Sequence, residues 1–193
     1  MKWNQKIPRR WQIAFTLLLG AFCGLGAYTI YMSRAWSYLG DDPATCVNCH
    51  VMAPQYASWF HSSHRERATC NDCHVPHTST FDKYAFKAMD GLYHSYVFTM
   101  RDEPMSIRAK EGSSTVVMDN CIRCHTTLNT ALVKTGTICF NDTQMGNGRA
   151  CWDCHRDVAH GKMSNISAAP NALVPLPESP VPEWLKKALP AAL

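Results

Sequence analysis

The chain has 193 residues, a formal net charge of +4, ten cysteines and nine histidines. Its length is that of a single domain, and so mild a positive charge is no argument for nucleic-acid binding. The N-terminus carries Lys2, Lys6, Arg9 and Arg10, followed by a run from Trp11 to Ser33 without a charged residue. As a helix that run is long enough to cross a bilayer, which takes about 20 apolar residues. The basic flank keeps the N-terminus cytoplasmic and puts everything after Arg34 on the far side of the membrane. The run is longer than a signal-peptide core and no small-x-small site follows it, so an uncleaved anchor is expected rather than a cleaved leader. Phe22 before Cys23 argues against a lipoprotein. Trp11, Tyr28 and Tyr31 stand where interfacial anchors would, and Gly20 with Gly24 offers a small-residue face for another helix.

Beyond Arg34 the sequence is organised by four Cys-x-x-Cys-His runs: Cys46-Cys49-His50, Cys70-Cys73-His74, Cys121-Cys124-His125 and Cys151-Cys154-His155. Such a run attaches a c-type haem. Two thiols one helical turn apart add across the porphyrin vinyl groups, and the adjacent His lies under the iron. Structural zinc ribbons also use Cys-x-x-Cys pairs, but zinc does not require a His directly after every second cysteine. Four haem c groups are therefore expected. They leave about 40 residues each, on the order of half what a domain needs to bury a core. The macrocycles themselves must form the interior. The two remaining cysteines, Cys23 and Cys139, are expected as free, buried thiols.

The motifs come as pairs. Cys46 and Cys70 are 24 residues apart, Cys121 and Cys151 are 30 apart, and a longer segment separates the pairs. Two di-haem modules follow from that spacing. Between them Ser79 and Asp82 make a capping box that starts a helix. Lys83, Lys87, Asp90 and His94 share one face of it, and Ala85, Met89, Leu92 and Tyr96 on the opposite side are expected to pack. After Asn165 the chain turns proline-rich (Pro170, Pro175, Pro177, Pro180, Pro182, Pro190) and reads as an extended tail, with a helical turn at 183–189. The expected organisation is a cytoplasmic 1–10, an anchor 11–33, a haem domain 34–165 and a tail 166–193. The fold class is mainly α with much irregular chain: one transmembrane helix and a compact tetrahaem domain.

Five histidines lie outside the motifs: His61, His64, His77, His94 and His160. His160 is too close in sequence to His155 to bind the same iron from the opposite face, so as a ligand it must serve another haem. The same holds for His64, which precedes Cys70 by six residues. No His lies between His125 and Cys151, which leaves one haem short of an in-chain imidazole; Met145, Lys134 and Lys162 are in-chain rivals for that place. Met52, two residues after His50, can compete with it for the first iron. A thioether is the softer ligand and raises the potential.

The N-terminal anchor, Cys46-Val47-Asn48-Cys49-His50-Val51-Met52, Ser63-His64 and the stretch from Ala68 to Pro76 together resemble the NapC/NirT family of membrane-anchored periplasmic quinol dehydrogenases. Asp90-Gly91-Leu92-Tyr93-His94 and Asn120-Cys121-Ile122-Arg123-Cys124-His125 are most similar to its NrfH branch, the electron-donating subunits of ammonia-forming cytochrome c nitrite reductases. The resemblance covers about residues 11 to 161. It implies that Met52 rather than His50 ligates the first iron, with Asp90 by the open side and Lys83 nearby, where the quinol headgroup binds. It also implies His74 with His160 on the second haem and His125 with His64 on the third. His155 would hold the fourth, completed by a Lys from the catalytic partner. NapC-type relatives usually carry a His between the third and fourth motifs, and its absence here favours the NrfH branch. His61, His77 and His94 have no ligand role in this scheme and read as polar packing or proton relay.

The expected function is therefore oxidation of menaquinol at the membrane. Electrons would pass through four haems to a periplasmic nitrite reductase, this chain being the quinol-oxidising subunit and not the nitrite-reducing one. A carboxylate that takes protons and a cation that holds its charged form are what quinol oxidation needs, and Asp90 with Lys83 fits that need. The rival functions are a NapC-like donor to another periplasmic reductase, or a wiring cytochrome reduced by another protein rather than by quinol. A terminal reductase is the weakest alternative, because no site for an oxyanion substrate is evident.

Overall fold

A computed structural model describes residues 8–136, 138–161, 163, 165, 167, 171–176, 179 and 181–188. Lys2, Lys6, Lys162, Leu189 and four of the tail prolines (Pro170, Pro177, Pro180 and Pro190) lie outside the described residues. The chain divides into two compact units, one of Leu39–Pro177 and one of Met1–Tyr38 with Glu178–Leu193. Among the described residues all regular structure is helical.

In the smaller unit, α1 (Arg9–Met32) covers the uncharged run and reaches back over Arg9 and Arg10. Its mean hydropathy over the best window is 1.9 and none of its residues is buried. The hydroxyls of Thr16 and Thr29 donate to the carbonyls of Gln12 (2.9 Å) and Leu25 (2.8 Å), so the helix satisfies its own polar side chains, as a hydrocarbon environment demands. Cys23 is free but exposed on this helix, not buried as expected, and Cys139 in the other unit is free and half-buried. A small side chain on an apolar helix with no protein around it has nothing to bury it. The proline-rich segment contains α9 (Glu183–Ala188), where Lys186 pairs with Glu183 at 2.6 Å.

In the larger unit each attachment motif sits on a short helical element. The first occupies two 3-10 turns, Pro43–Asn48 and His50–Met52, which lead into α2 (Ala53–Phe60). The second is α3 (Cys70–His74), the third ends α5 (Glu111–Cys124), and the fourth is α8 (Cys151–Cys154). The second and fourth have Asp as the residue before the second cysteine. The Asp72 carboxylate accepts from the backbone N–H and hydroxyl of Thr69, both at 2.8 Å, and Asp153 accepts from the N–H of Ala150 at 2.8 Å. Each Asp thereby caps the turn that presents its two cysteines on one face. Helix α6 (Thr126–Lys134) follows His125 directly, and α7 (Phe140–Gln144) lies between α6 and the fourth motif.

The long helix α4 (Thr80–Met100) starts where the capping signal puts it. Ser79 accepts from the N–H of Asp82 at 3.1 Å, while Asp82 binds the hydroxyls of Ser79 and Thr78. Its packing is the reverse of the expectation: Met89, Leu92 and Tyr96 are exposed, and Lys83, Lys87 and Asp90 on the polar side are the half-covered ones. The polar side is held by ion pairs to Asp41 and Lys110, so bonding rather than apolar burial sets the helix's rotation.

The buried apolar residues hug the motifs. Val47 lies inside the first, Val75 follows the second, Met118 precedes the third by one turn and Ala150 abuts the fourth. Trp59 on α2 is buried with its indole N–H on the carbonyl of Ala68, 2.9 Å away. The buried amide of Asn120 donates to the carbonyls of Cys73 (3.0 Å) and Val75 (2.9 Å), and Arg123 reaches the carbonyl of Asp72 at 3.2 Å. These bonds clamp the second motif to the third.

Candidate functional site

The first cysteines of neighbouring motifs meet in pairs. The thiols of Cys46 and Cys70 lie close together, as do those of Cys121 and Cys151. Cys151 also donates to the Sδ of Met118 at 3.4 Å. Hydrogen bonding to Cys46, then burial, pushes the Cys70 thiol up, and burial pushes Cys121 to about 12. Of the eight motif cysteines, Cys124 and Cys154 are exposed, and Cys46, Cys49, Cys70, Cys73, Cys121 and Cys151 are half-covered.

The histidines meet across the motifs rather than within them. The rings of His64 and His125 have centres 6.2 Å apart, and those of His74 and His160 are 6.1 Å apart. With metal–imidazole bonds of about 2.0 Å, two rings on opposite faces of one iron have centres about 6 Å apart. The Nδ1 of His64 is buried with no hydrogen-bond partner among the described residues. The Nδ1 of His160 stands 2.9 Å from the carbonyl of Gln55 and 3.1 Å from the hydroxyl of Ser58. An Nδ1–H donated to that carbonyl leaves Nε2 as the free base, the arrangement that orients metal-bound imidazoles. Burial lowers the His160 value and, with His160 alongside, takes His74 down to about 4, so both rings are neutral at physiological pH. Two imidazole pairs at iron-bridging distance, one of them neutral and with a tautomer fixed, fit the haem that the motifs call for.

The remaining ligand candidates are not paired this way. His50 packs edge-on to Phe98 of α4, 6.1 Å between ring centres. Met52 closes the 3-10 turn after it and is half-buried. The ring of His155 is exposed, and among the described residues no other imidazole stands against it. Met145 and Lys134 are exposed too, and Lys162 lies outside the described residues.

The Asp90 carboxylate is flanked by Lys110 and His94, not by Lys83. Lys110 Nζ is 2.7 Å from Oδ1 and His94 Nε2 is 3.5 Å from Oδ2. Lys83 lies two turns earlier on α4, where its ammonium and that of Lys87 bind Asp41 at 2.5 Å and 3.0 Å. The hydrogen bond from Lys83 is the largest cause of the Asp41 carboxyl being held well below its usual range. Lys110 escapes a reading of spacing because it stands at the N-cap position of α5, beyond the end of α4. Arg101, in left-handed conformation (φ 55°), ends α4 before the chain returns. His61 stacks edge-on to Phe60, and His77 lies 4.0 Å from Asp72. Among the described residues no group of three or more His, Cys, Asp or Glu forms a metal-binding cluster without haem.

The model of the NapC/NirT cytochrome c family, N-terminal region, matches residues 7–165. The cytochrome c-type protein NrfH of Wolinella succinogenes is 42% identical over 163 residues, covering 83% of this chain and 90% of that protein. The cytochrome c nitrite reductase subunit NrfH of Nitratidesulfovibrio vulgaris is 34% identical over 127 residues, 66% of this chain and 72% of that one. A solved structure of the cytochrome c nitrite reductase NrfHA complex, bound to the HQNO inhibitor, has a chain that superposes with a TM-score of 0.54 at 30% identity. That superposition covers 84% of this chain and 99% of the other.

Proposed function

Since the chain belongs to the NapC/NirT cytochrome c family and is a membrane-anchored c-type cytochrome of electron transport, we propose that it is the quinol-oxidising subunit of a nitrite reductase complex. It takes electrons from menaquinol at the membrane and delivers them to an ammonia-forming cytochrome c nitrite reductase. Its N-terminus is cytoplasmic, and the domain after α1 lies in the periplasm. The likeness to two NrfH proteins and to the NrfHA complex supports the choice of partner. The observation that carries the reading is the pattern of histidines: two cross-motif pairs at iron-bridging distance, and His155 left exposed without a third.

In this reading Cys46, Cys49, Cys70, Cys73, Cys121, Cys124, Cys151 and Cys154 hold four haem c groups as two di-haem modules. The meeting of the thiols of Cys46 with Cys70, and of Cys121 with Cys151, supports that grouping. Met52 would hold the first iron, His74 and His160 the second, and His125 and His64 the third. His155 would hold the fourth, together with a Lys of the reductase. When bound, haem c accepts and passes single electrons. The protein's own task is the protons. Asp90, placed between Lys110 and His94, takes a proton from the quinol hydroxyl, and His94, largely exposed, hands it on to solvent. Lys110 keeps the carboxylate ready, while Lys83 acts one step removed by fixing α4 to Asp41.

The test is reduction of the purified haem-loaded chain by a menaquinol analogue. Rapid reduction, blocked by the inhibitor HQNO and coupled to nitrite consumption when the reductase is added, is the expected result. A chain reducible by dithionite and by other cytochromes but inert to quinol is a wiring module instead. Transfer to a reductase other than nitrite reductase marks a NapC-like donor.

A further inference from the structure

Helix α4 is turned inside out. Projected at 100° per residue, Phe81, Ala85, Ala88, Met89, Leu92 and Tyr96 share one arc, and no charged residue falls within it. Phe81 is 80% exposed, Met89 73%, Leu92 72% and Tyr96 61%. On the opposite arc the side chains of Lys83, Lys87 and Asp90 are only 22%, 13% and 24% exposed, each in an ion pair with a residue of the same unit. A helix in water buries its apolar stripe and exposes its charges. One that does the reverse, along more than three turns, has an apolar medium outside it.

The chain itself limits what that medium can be. The turn of α4 bearing Tyr84 and Lys87 is tied to the residues that follow the anchor. The Tyr84 hydroxyl donates to the carbonyl of Leu39 (3.4 Å), Lys87 to that of Gly40 (2.6 Å), and Lys83 and Lys87 to Asp41. Leu39 is seven residues past Met32, where α1 ends. At about 3.5 Å per residue the link is at most about 25 Å long, and the 3-10 coil of Ala35–Leu39 shortens it further. The clamped turn therefore stays within a short tether of the bilayer surface. Tyr84, Tyr93 and Tyr96 supply aromatic rings with a polar tip, the residue type that favours the headgroup level.

We propose that the outward face of α4 lies in the headgroup and upper acyl region of the phospholipid bilayer, a monotopic membrane contact in addition to the α1 anchor. An amphipathic helix of this kind sinks its apolar side about 5–10 Å. Its polar side, with Asp90, then faces back toward Asp41 and Lys110 in the body of the larger unit. This placement rests on the anchor and on the rotation of α4, not on quinol chemistry.

The experiment is site-specific photo-crosslinking. The full, haem-loaded chain is embedded in phospholipid nanodiscs with p-benzoylphenylalanine at Leu92, at Tyr96, or at Leu128, an equally exposed apolar position on α6. After irradiation, intact mass should show a phospholipid adduct at 92 and 96 at least ten times as often as at 128. Adducts joining 92 or 96 to haem, to a second copy, or, in the assembled complex, to the reductase would overturn the proposal. So would lipid labelling no greater than at 128. Should the Leu92 variant lose haem, the Tyr96 variant, which changes only the substituent on an aromatic ring, decides the matter alone.

Discussion

Lys110 holds Asp90 from the far side of a chain reversal, its Nζ 2.7 Å from the carboxylate and 3.8 Å above the ring of Tyr93. The cation is thus fixed by two partners on one helix, and the carboxylate it serves keeps its second oxygen near His94. General-base catalysis contributes about 10²–10⁴-fold, so Asp90→Asn should slow menaquinol-driven reduction by about a hundredfold or more. All four haems should stay attached and reducible by dithionite. Lys110→Met should also slow the reaction and Lys110→Arg restore much of it, read as initial rates across pH. Unchanged quinol rates in Lys110→Met would remove Lys110 from the proton path.

The Asp41 cluster predicts an acid-sensitive clamp. Bonding to Lys83, with help from Lys87 and Asn71, depresses the Asp41 carboxyl in the folded chain. A depressed carboxyl contributes stability above its unfolded value of about 3.9, and that contribution fades as pH falls below it. The Asp41 side chain is 42% exposed, so solvent screening keeps the gain near that of a surface pair, at most about 1 kcal/mol. Thermal unfolding of the wild type should exceed that of Asp41→Asn at pH 7, with the gap closing below about pH 4. A gap that keeps its full pH 7 size as the pH falls below about 4 would mean the ion pairs are not its source.

Asn120 predicts a larger cost. Its buried amide serves two carbonyls and accepts from Arg123 Nε at 3.1 Å. Asn120→Ala leaves the carbonyls of Cys73 and Val75 without this donor, at about 1–3 kcal/mol for unsatisfied buried groups. Denaturant titration of the holoprotein should show the loss, and a change within about 0.5 kcal/mol would mean water or a rearranged side chain replaces the bonds.

The ligand pairs give a spectroscopic prediction. If His64 and His160 each complete a different iron, His64→Ala and His160→Ala should each convert one low-spin haem to high-spin, and the double variant two. Magnetic circular dichroism or electron paramagnetic resonance counts them. His160→Met should instead keep a low-spin haem and raise its potential.

What was legible in the sequence is what is local. The Cys-x-x-Cys-His runs mark their own turns, and Ser79 with Asp82 announces the start of α4 because a cap is made within four residues. The approach of His74 to His160 is not local, and the pairing scheme came from family likeness rather than from spacing. The rotation of α4 departs from its periodicity for a physical reason. Periodicity separates an apolar face from a polar one, but which face turns inward depends on the surroundings. Asp41 and Lys110, distant in sequence, bond the polar side. Lys110 itself could be found only by folding α5 back beside α4.

The last prediction concerns His155. Its ring is exposed, and among the described residues no imidazole faces it, whereas the rings of His74 and His125 each have one about 6 Å away. Of its in-chain rivals, Met145 is 67% exposed at the end of α7 and Lys134 points to solvent in the last turn of α6. Neither is held for ligation, and drawing in an exposed side chain costs rotamer entropy that a preformed partner does not lose. A Lys supplied by the reductase would complete the iron and add a coordinate bond to the interface, making the complex tighter than buried area alone predicts. In the isolated chain the His155 haem should then be high-spin and bind added imidazole or cyanide readily. Adding the reductase should turn it low-spin and close it to both. A fourth haem that is already low-spin in the isolated chain, with a spectrum unmoved by the reductase, would show that the sixth ligand comes from within.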